Sequence, residues 1–158
     1  TMRILVLKII IISLFFTSGC GFKVINQSEL AKFDISEINT TGNKVINFKL
    51  KNKLLFNSKA NDKKLIKINL ESSKNKGVKE KNIKNEITKY DINITVKVLV
   101  DIINSSKSTE FVVSKTGSYN VHERHSITLR NKKNLTELLV DDISEEILFE
   151  LRSRLDDL

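Results

Sequence analysis

The sequence predicts an α+β domain, a two-layer sandwich in which a four-stranded, largely antiparallel sheet carries two helices on one face. The predicted order is strand, helix, strand, strand, strand, helix. Three observations lead there. Between Asp91 and Ile102, Ile92, Ile94, Val96, Val98, Val100 and Ile102 alternate with Asp91, Asn93, Thr95, Lys97, Leu99 and Asp101, the period-two pattern of a strand with one buried and one wet face. Near the C-terminus, Val140, Ile143, Ile147, Leu148, Leu151 and Leu155 recur at helical spacing and form one apolar stripe. Ile46, Leu50 and Leu54 do the same over a shorter segment. A sheet with one wet face and two amphipathic helices each have one apolar side to hide, and packing the two layers together hides both.

The elements follow in order. Phe33 to Ile38 alternates apolar and polar residues and reads as a first strand. Thr40-Thr41-Gly42-Asn43 is a turn, in which Thr41 or Asn43 can cap the next helix. From Lys44 to Phe56 a helix is expected, with Val45, Phe48 and Leu55 widening its apolar stripe. Lys64 to Glu71 returns to alternation, with Ile66, Ile68 and Leu70 on one face. Ser72 to Glu86 is polar and holds Lys74, Lys76, Lys79, Lys81 and Lys84, so it is either a solvated connection or an extension of the flanking strands. After the long strand, Asn104-Ser105-Ser106-Lys107 turns the chain, and Glu110 to Val121 returns with Phe111, Val113, Tyr119 and Val121 on one parity and Gly117 as an expected bulge. Asn134 is the expected cap of the last helix, whose early Asp141, Asp142, Glu145 and Glu146 and late Arg152 and Arg154 would then suit the helix dipole.

The N-terminus has another character. Arg3 and Lys8 supply positive charge, and Ile4 to Phe16 is apolar apart from Lys8 and Ser13, well short of the roughly 20 residues of a membrane-spanning helix. A charged start, a short apolar run and a small-residue exit make a signal peptide. Thr17-Ser18-Gly19 lead into Cys20, the one cysteine of the chain. Leu14 to Cys20 resembles the lipobox of bacterial lipoproteins, in which the thiol is diacylated and the leader is cut just before it, although Thr17 stands where an aliphatic residue is usual. A lone cysteine cannot form an internal disulfide, and an exported chain has a use for it as an anchor. Two or three acyl chains hold a protein stably at a bilayer where one does so only marginally. The expected organisation is a leader over residues 1–19, a lipidated N-terminus and tether over 20–31 and one α+β domain over 32–158.

The formal net charge is +8, of which Arg3 and Lys8 in the leader supply two. The surplus invites an anionic partner such as a lipid headgroup or phosphorylated glycolipid, and export argues against nucleic acid. A Lys-, Ile- and Asn-rich chain without Pro or Trp is also what an AT-rich genome produces with no selection for binding. Catalysis finds little support. With Cys20 acylated no thiol is left for nucleophilic work or a thiolate metal site, and no cofactor is implied. His122 and His125 lie three apart with no third ligand at recognisable spacing. Neither a glycine-rich phosphate loop nor a nucleophile elbow occurs. The expectation is a protein that is not an enzyme.

Taken together, Gly19-Cys20-Gly21-Phe22, the helix Ile46 to Leu55, the strand KYDINITVKVLV from Lys89 to Val100 and the closing LLVDDISEEILFELRSRL from Leu138 to Leu155 resemble the LptE family. These are outer-membrane lipoproteins of lipopolysaccharide assembly, and the match covers nearly the whole chain. The resemblance implies a plug inside the β-barrel protein LptD that helps the barrel assemble and binds lipopolysaccharide on its way to the outer leaflet. It implies an outer-membrane location on the periplasmic side and in the barrel lumen, since Gly21, not Asp, follows the acylated cysteine. It also points to basic residues that match those implicated in the family: Lys84 or its neighbour Lys81, for which a solvated lysine is the alternative, and Arg130. A free-standing lipoprotein that carries an anionic lipid or glycolipid is the rival reading.

Overall fold

The computed structural model describes residues 33–57 and 64–156. The leader, Cys20 and the tether lie outside the described residues. The elements are β1 (Phe33–Gly42), α1 (Lys44–Asn57), β2 (Lys64–Lys81), β3 (Ile87–Ile102), β4 (Ser108–Asn120) and α2 (His125–Asp156), in the order expected from the sequence. The strands lie side by side as β1-β2-β3-β4. β1 runs parallel to β2 with α1 as the crossover, and the other two pairings are antiparallel. A βαβ unit thus opens the fold and a meander completes it.

Alternation decides which face is buried. Ile66, Ile68 and Leu70 of β2, Ile92 to Val100 of β3 at even positions, and Phe111, Val113 and Tyr119 of β4 form one core with Ile46, Leu50 and Leu54 of α1 and the stripe of α2. β1 needs one irregularity to join them. Ile35 and Ile38 are three residues apart yet both buried, because the register with β2 shifts between Ile35 and Glu37. Ser36 sits in that bulge, and its hydroxyl donates to the Ile66 carbonyl (2.9 Å). Asn43 is the cap of α1, since its Oδ1 accepts the Ile46 N–H (3.2 Å). Lys49 pairs with Glu137 and Lys53 with Asp141, both at 2.7 Å. The two pairs advance by one turn on each helix, so α1 and α2 run parallel.

Three expectations are corrected, and Ser72 to Lys81 takes one of its two expected readings, an extension of the strand: β2 continues past the end of β1 at Gly42, opposite Ser72, and stays paired with β3 as far as Lys81. Backbone pairing does not require apolar side chains, and the alternation of β3 supplies the template. Gly117 is not a bulge, because the β3–β4 register runs unbroken from Lys89–Asn120 to Asp101–Ser108. Its role is closeness: a Cβ there would lie 2.6 Å from Leu135 Cδ1, so the missing side chain lets α2 settle on β4. α2 starts at His125, not after Asn134. Its acidic residues therefore sit mid-helix and its first turn holds no acid, so the acidic half of the dipole argument fails, while Arg154 stands in the last turn as expected. Finally, Val45 and Phe48 do not widen the core stripe of α1. They are 64% and 69% exposed and point away from the sheet.

Candidate functional site

Because β1 and α1 stop short, the upper part of the sheet carries only the first turns of α2. There the helix-facing parity of β2 changes chemistry, passing from Ile66, Ile68 and Leu70 through Ser72 to Lys74, Lys76 and Val78. Lys74 reaches between the helices, and its ammonium donates to Thr136 Oγ1 (2.9 Å). The same hydroxyl donates to the Lys132 carbonyl (2.8 Å). Burial of the ammonium, and then the positive charge of Lys132, lower the Lys74 pKa below that of an ordinary lysine. Lys76 takes another partner, its Nζ lying 3.4 Å from the centre of the Tyr90 ring. Tyr90 in turn stacks on Tyr119 with centroids 5.7 Å apart.

Between α1, β2 and α2, Lys74, Lys132 and Thr136 border a groove of roughly 270 Å³. Val45 and Leu129 give it apolar walls, and Lys49, Lys74, Lys132 and Lys133 give it positive charge. Its lining includes one carboxylate, Glu137, which is bonded to Lys49 (2.7 Å); that hydrogen bond is the chief reason its pKa is lowered. Three ammonium groups beside apolar wall atoms suit a ligand that is anionic at one point and apolar next to it.

The residues singled out by the resemblance lie at the same end of the molecule, but outside the groove. Lys81 ends β2 and donates to Asn85 Oδ1 (3.0 Å). Lys84 sits at the apex of the β2–β3 hairpin. There Asn82 Oδ1 accepts the N–H groups of Lys84 and Glu86, both at 2.9 Å, and Asn85 adopts a positive φ of 62°. Ile83, fully exposed, lies in this turn. Arg130 is exposed on α2, one residue before Asn131, whose amide donates to the Asn120 carbonyl (3.4 Å). Cys20 lies outside the described residues.

His122 and His125 flank the start of α2. His122 Nδ1 accepts the Arg124 N–H (3.1 Å), and Thr128 Oγ1 bonds both the N–H and the carbonyl of His122 (2.8 and 3.2 Å). These contacts seat the helix. Among the described residues no group of three or more His, Cys, Asp or Glu side chains could hold a metal ion.

The local pattern does not single out Lys74, Lys132 and Lys133 as lining one groove: Lys74 is one of a run of lysines, and the other two precede the expected helix start. The signals were present: Lys74 keeps the parity of Ile66, Ile68 and Leu70, and Leu129, Lys132, Lys133 and Thr136 share one face once the helix begins at His125.

Comparison with known proteins agrees with this architecture. The crystal structure of rare lipoprotein B from Shewanella oneidensis superposes with a TM-score of 0.59 at 14% identity, over 77% of this chain and 98% of that one. The fold is that of rare lipoprotein B. A lipoprotein-designated chain from Caulobacter crescentus CB15 superposes with a TM-score of 0.56 at 11% identity, covering 83% of this chain and 95% of the other. The sequence matches no protein-family profile and no curated protein. With rare lipoprotein B the likeness is one of architecture, and the chemistry rests on this chain's own groove.

Proposed function

We propose that this chain is a lipid-anchored outer-membrane lipoprotein that plugs an LptD-type β-barrel and binds lipopolysaccharide during its passage to the outer leaflet, without catalysing a reaction. The groove carries the reading. Lipid A presents phosphates beside acyl chains, and Lys74, Lys132 and Lys133 beside Val45 and Leu129 offer the complementary pairing. Support comes also from the lipobox at Cys20 and from the shared fold of rare lipoprotein B, a member of the LptE-like family. The exposed lysines of the hairpin, Lys81 and Lys84, and Arg130 would extend the positive surface beyond the groove.

The test is to extract membranes of the native type of host in mild detergent and identify what co-purifies with the tagged full chain and with its Cys20→Ala form. A stoichiometric large barrel, reduced in amount or displaced by the substitution, is the expected result. A lone monomer from the outer membrane overturns the plug. The groove is tested by lipopolysaccharide binding: Lys74→Glu with Lys132→Glu should weaken it at least about tenfold, because two charge-assisted contacts each contribute on the order of 1 kcal/mol or more. Unchanged binding would move the site elsewhere.

A further inference from the structure

α1 is apolar on two opposite faces. Leu50 and Leu54 point into the core, while Val45, Phe48 and Phe56 lie within about 80° of one another on the far side and are 64%, 69% and 80% exposed. Three large apolar side chains on one exposed ridge are unusual for a surface helix. The charges that α1 itself carries are of one sign, and Lys49 and Lys53 are paired with Glu137 and Asp141 of α2. α1 has Lys44, Lys49, Lys51 and Lys53 and no acidic residue. On one flank, Lys44 and Lys51 line a hollow of roughly 420 Å³ beside Phe48, with Thr40 and Asn47. On the other flank, Val45 is shared with the groove that holds Lys74, Lys132 and Lys133.

We propose that this face of α1 is a docking surface for an anionic lipid bilayer. The ridge of Val45, Phe48 and Phe56 enters the boundary between headgroups and acyl chains, and Lys44 and Lys51 beside Phe48, with Lys132 and Lys133 beside Val45, reach headgroup phosphates. Charge complementarity selects this occupant: a protein partner for an apolar ridge needs no cationic border, whereas a bilayer rich in anionic lipid attracts each nearby lysine. The inference takes from the proposed function only the lipid anchor, which delivers the domain. The stretch from Cys20 to Phe33 spans at most about 45 Å fully extended, so an anchored domain stays at a high effective concentration near the surface.

The chain contains no tryptophan, so a single indole reports on one place. Full-length lipidated Phe48→Trp is reconstituted in phosphatidylethanolamine vesicles with about one quarter phosphatidylglycerol, and in phosphatidylcholine vesicles. Val112→Trp, on the opposite face of the sheet and also exposed, is the companion. The expected result is blue-shifted emission quenched by brominated acyl chains for Phe48→Trp in anionic vesicles, reversed by about 0.5 M salt, with Val112→Trp unquenched. Adding Lys44→Glu and Lys51→Glu should lower the docked-to-free ratio at least about tenfold. Solvent-exposed emission from Phe48→Trp in anionic vesicles overturns the proposal. Equal quenching at both positions, or equal quenching in neutral vesicles, overturns it as well. The vesicles hold no barrel, so this outcome is independent of barrel co-purification.

Discussion

Gly42→Ala should be among the most damaging single-atom-group changes in the molecule. Gly42 ends β1 at a φ of 92°, a conformation that an L side chain adopts at a cost of about 1–2 kcal/mol. A Cβ would lie 2.0 Å from the Ser72 carbonyl oxygen and 3.0 Å from its carbon. The obstacle is backbone, so no rotamer change relieves it, and β1 must separate from β2. That separation breaks a compact polar junction. The Asn43 N–H donates to the Ser72 carbonyl (3.0 Å), and the Ser72 hydroxyl donates to Asn47 Oδ1 (2.6 Å). The Asn47 amide donates to the Thr41 carbonyl (2.9 Å). Ser72 and Asn47 are buried, so one broken pair costs about 1–3 kcal/mol. The total is about 2–5 kcal/mol, read as a fall in the urea midpoint at constant m-value. Two other glycines calibrate the experiment. At Gly77 a Cβ meets nothing within 4 Å, so Gly77→Ala should be neutral or stabilise by up to about 1 kcal/mol. At Gly117 the obstacle is the movable end of Leu135, and Gly117→Ala should cost about 1 kcal/mol. If Gly42→Ala lies within about 1 kcal/mol of the wild type, or Gly77→Ala costs as much as Gly42→Ala, the account of the β1–α1 junction is wrong.

The other predictions concern charge. Lys74 has a lowered pKa in the folded state, so its protonated form opposes folding at neutral pH and the penalty fades as pH rises through that lowered value toward 10.5. Lys74→Met should therefore remove a rise in stability on the alkaline side, seen by thermal melts at stepped pH; an unchanged difference between the two proteins across that range would refute it. Lys132→Met should move the Lys74 titration, followed by NMR, upward, because it deletes the second cause of the shift. Glu37, Asp91 and Glu137 have lowered pKa values, from bonds chiefly to Lys67, Ser118 and Lys49 respectively. Their stabilisation is present above the unfolded values near 4 and disappears as pH falls through the folded ones, so Glu137→Gln should make the acid limb shallower. Ile83→Ser at the hairpin apex should change stability by less than about 0.5 kcal/mol, since the side chain is fully exposed.

The sequence-legible part of this fold is the part where one apolar side has one destination. The apolar face of β3 alternates unbroken from Ile92 to Ile102, with Leu99 alone breaking the polar face, and the core stripe of α2 from Val140 to Leu155 is buried as expected. Asn43 was one of two candidate caps for α1, and it is the one used. The illegible parts are those where composition hides geometry. Ser72 to Lys81 looks like a loop because Val78 is its one apolar side chain, yet its backbone partners are supplied by β3. The start of α2 is concealed by Arg124, His125, Asn131, Lys132 and Lys133, residues that read as a polar connection until the N-terminal seat of His122 and Thr128 is seen. Periodicity puts Val45 and Phe48 with the core stripe because it measures spacing and leaves open which of two apolar faces meets the sheet.

The charge order along α2 links the fold to the groove. A helix dipole favours acids in the first turn and bases in the last, but here Arg124 precedes the helix, Arg130, Lys132 and Lys133 follow early, and Asp141, Asp142, Glu145, Glu146 and Glu150 come later. The helix's own electrostatics do not explain this order, and the neighbouring elements explain only half of it. Asp141 meets Lys53 and Glu146 meets Lys115 across the interface with α1 and β4, so the acidic half is matched by bases on the elements it packs against. At the basic half, the groove's one carboxylate is bonded to Lys49, and Lys74 adds a further positive charge close enough to Lys132 for its own pKa to fall. A folded chain that gathers like charges beside apolar surface carries an electrostatic cost that an anionic ligand removes. The same sum predicts that such a ligand should raise the melting temperature of the wild type more than that of Lys74→Met, because the variant has less repulsion to relieve.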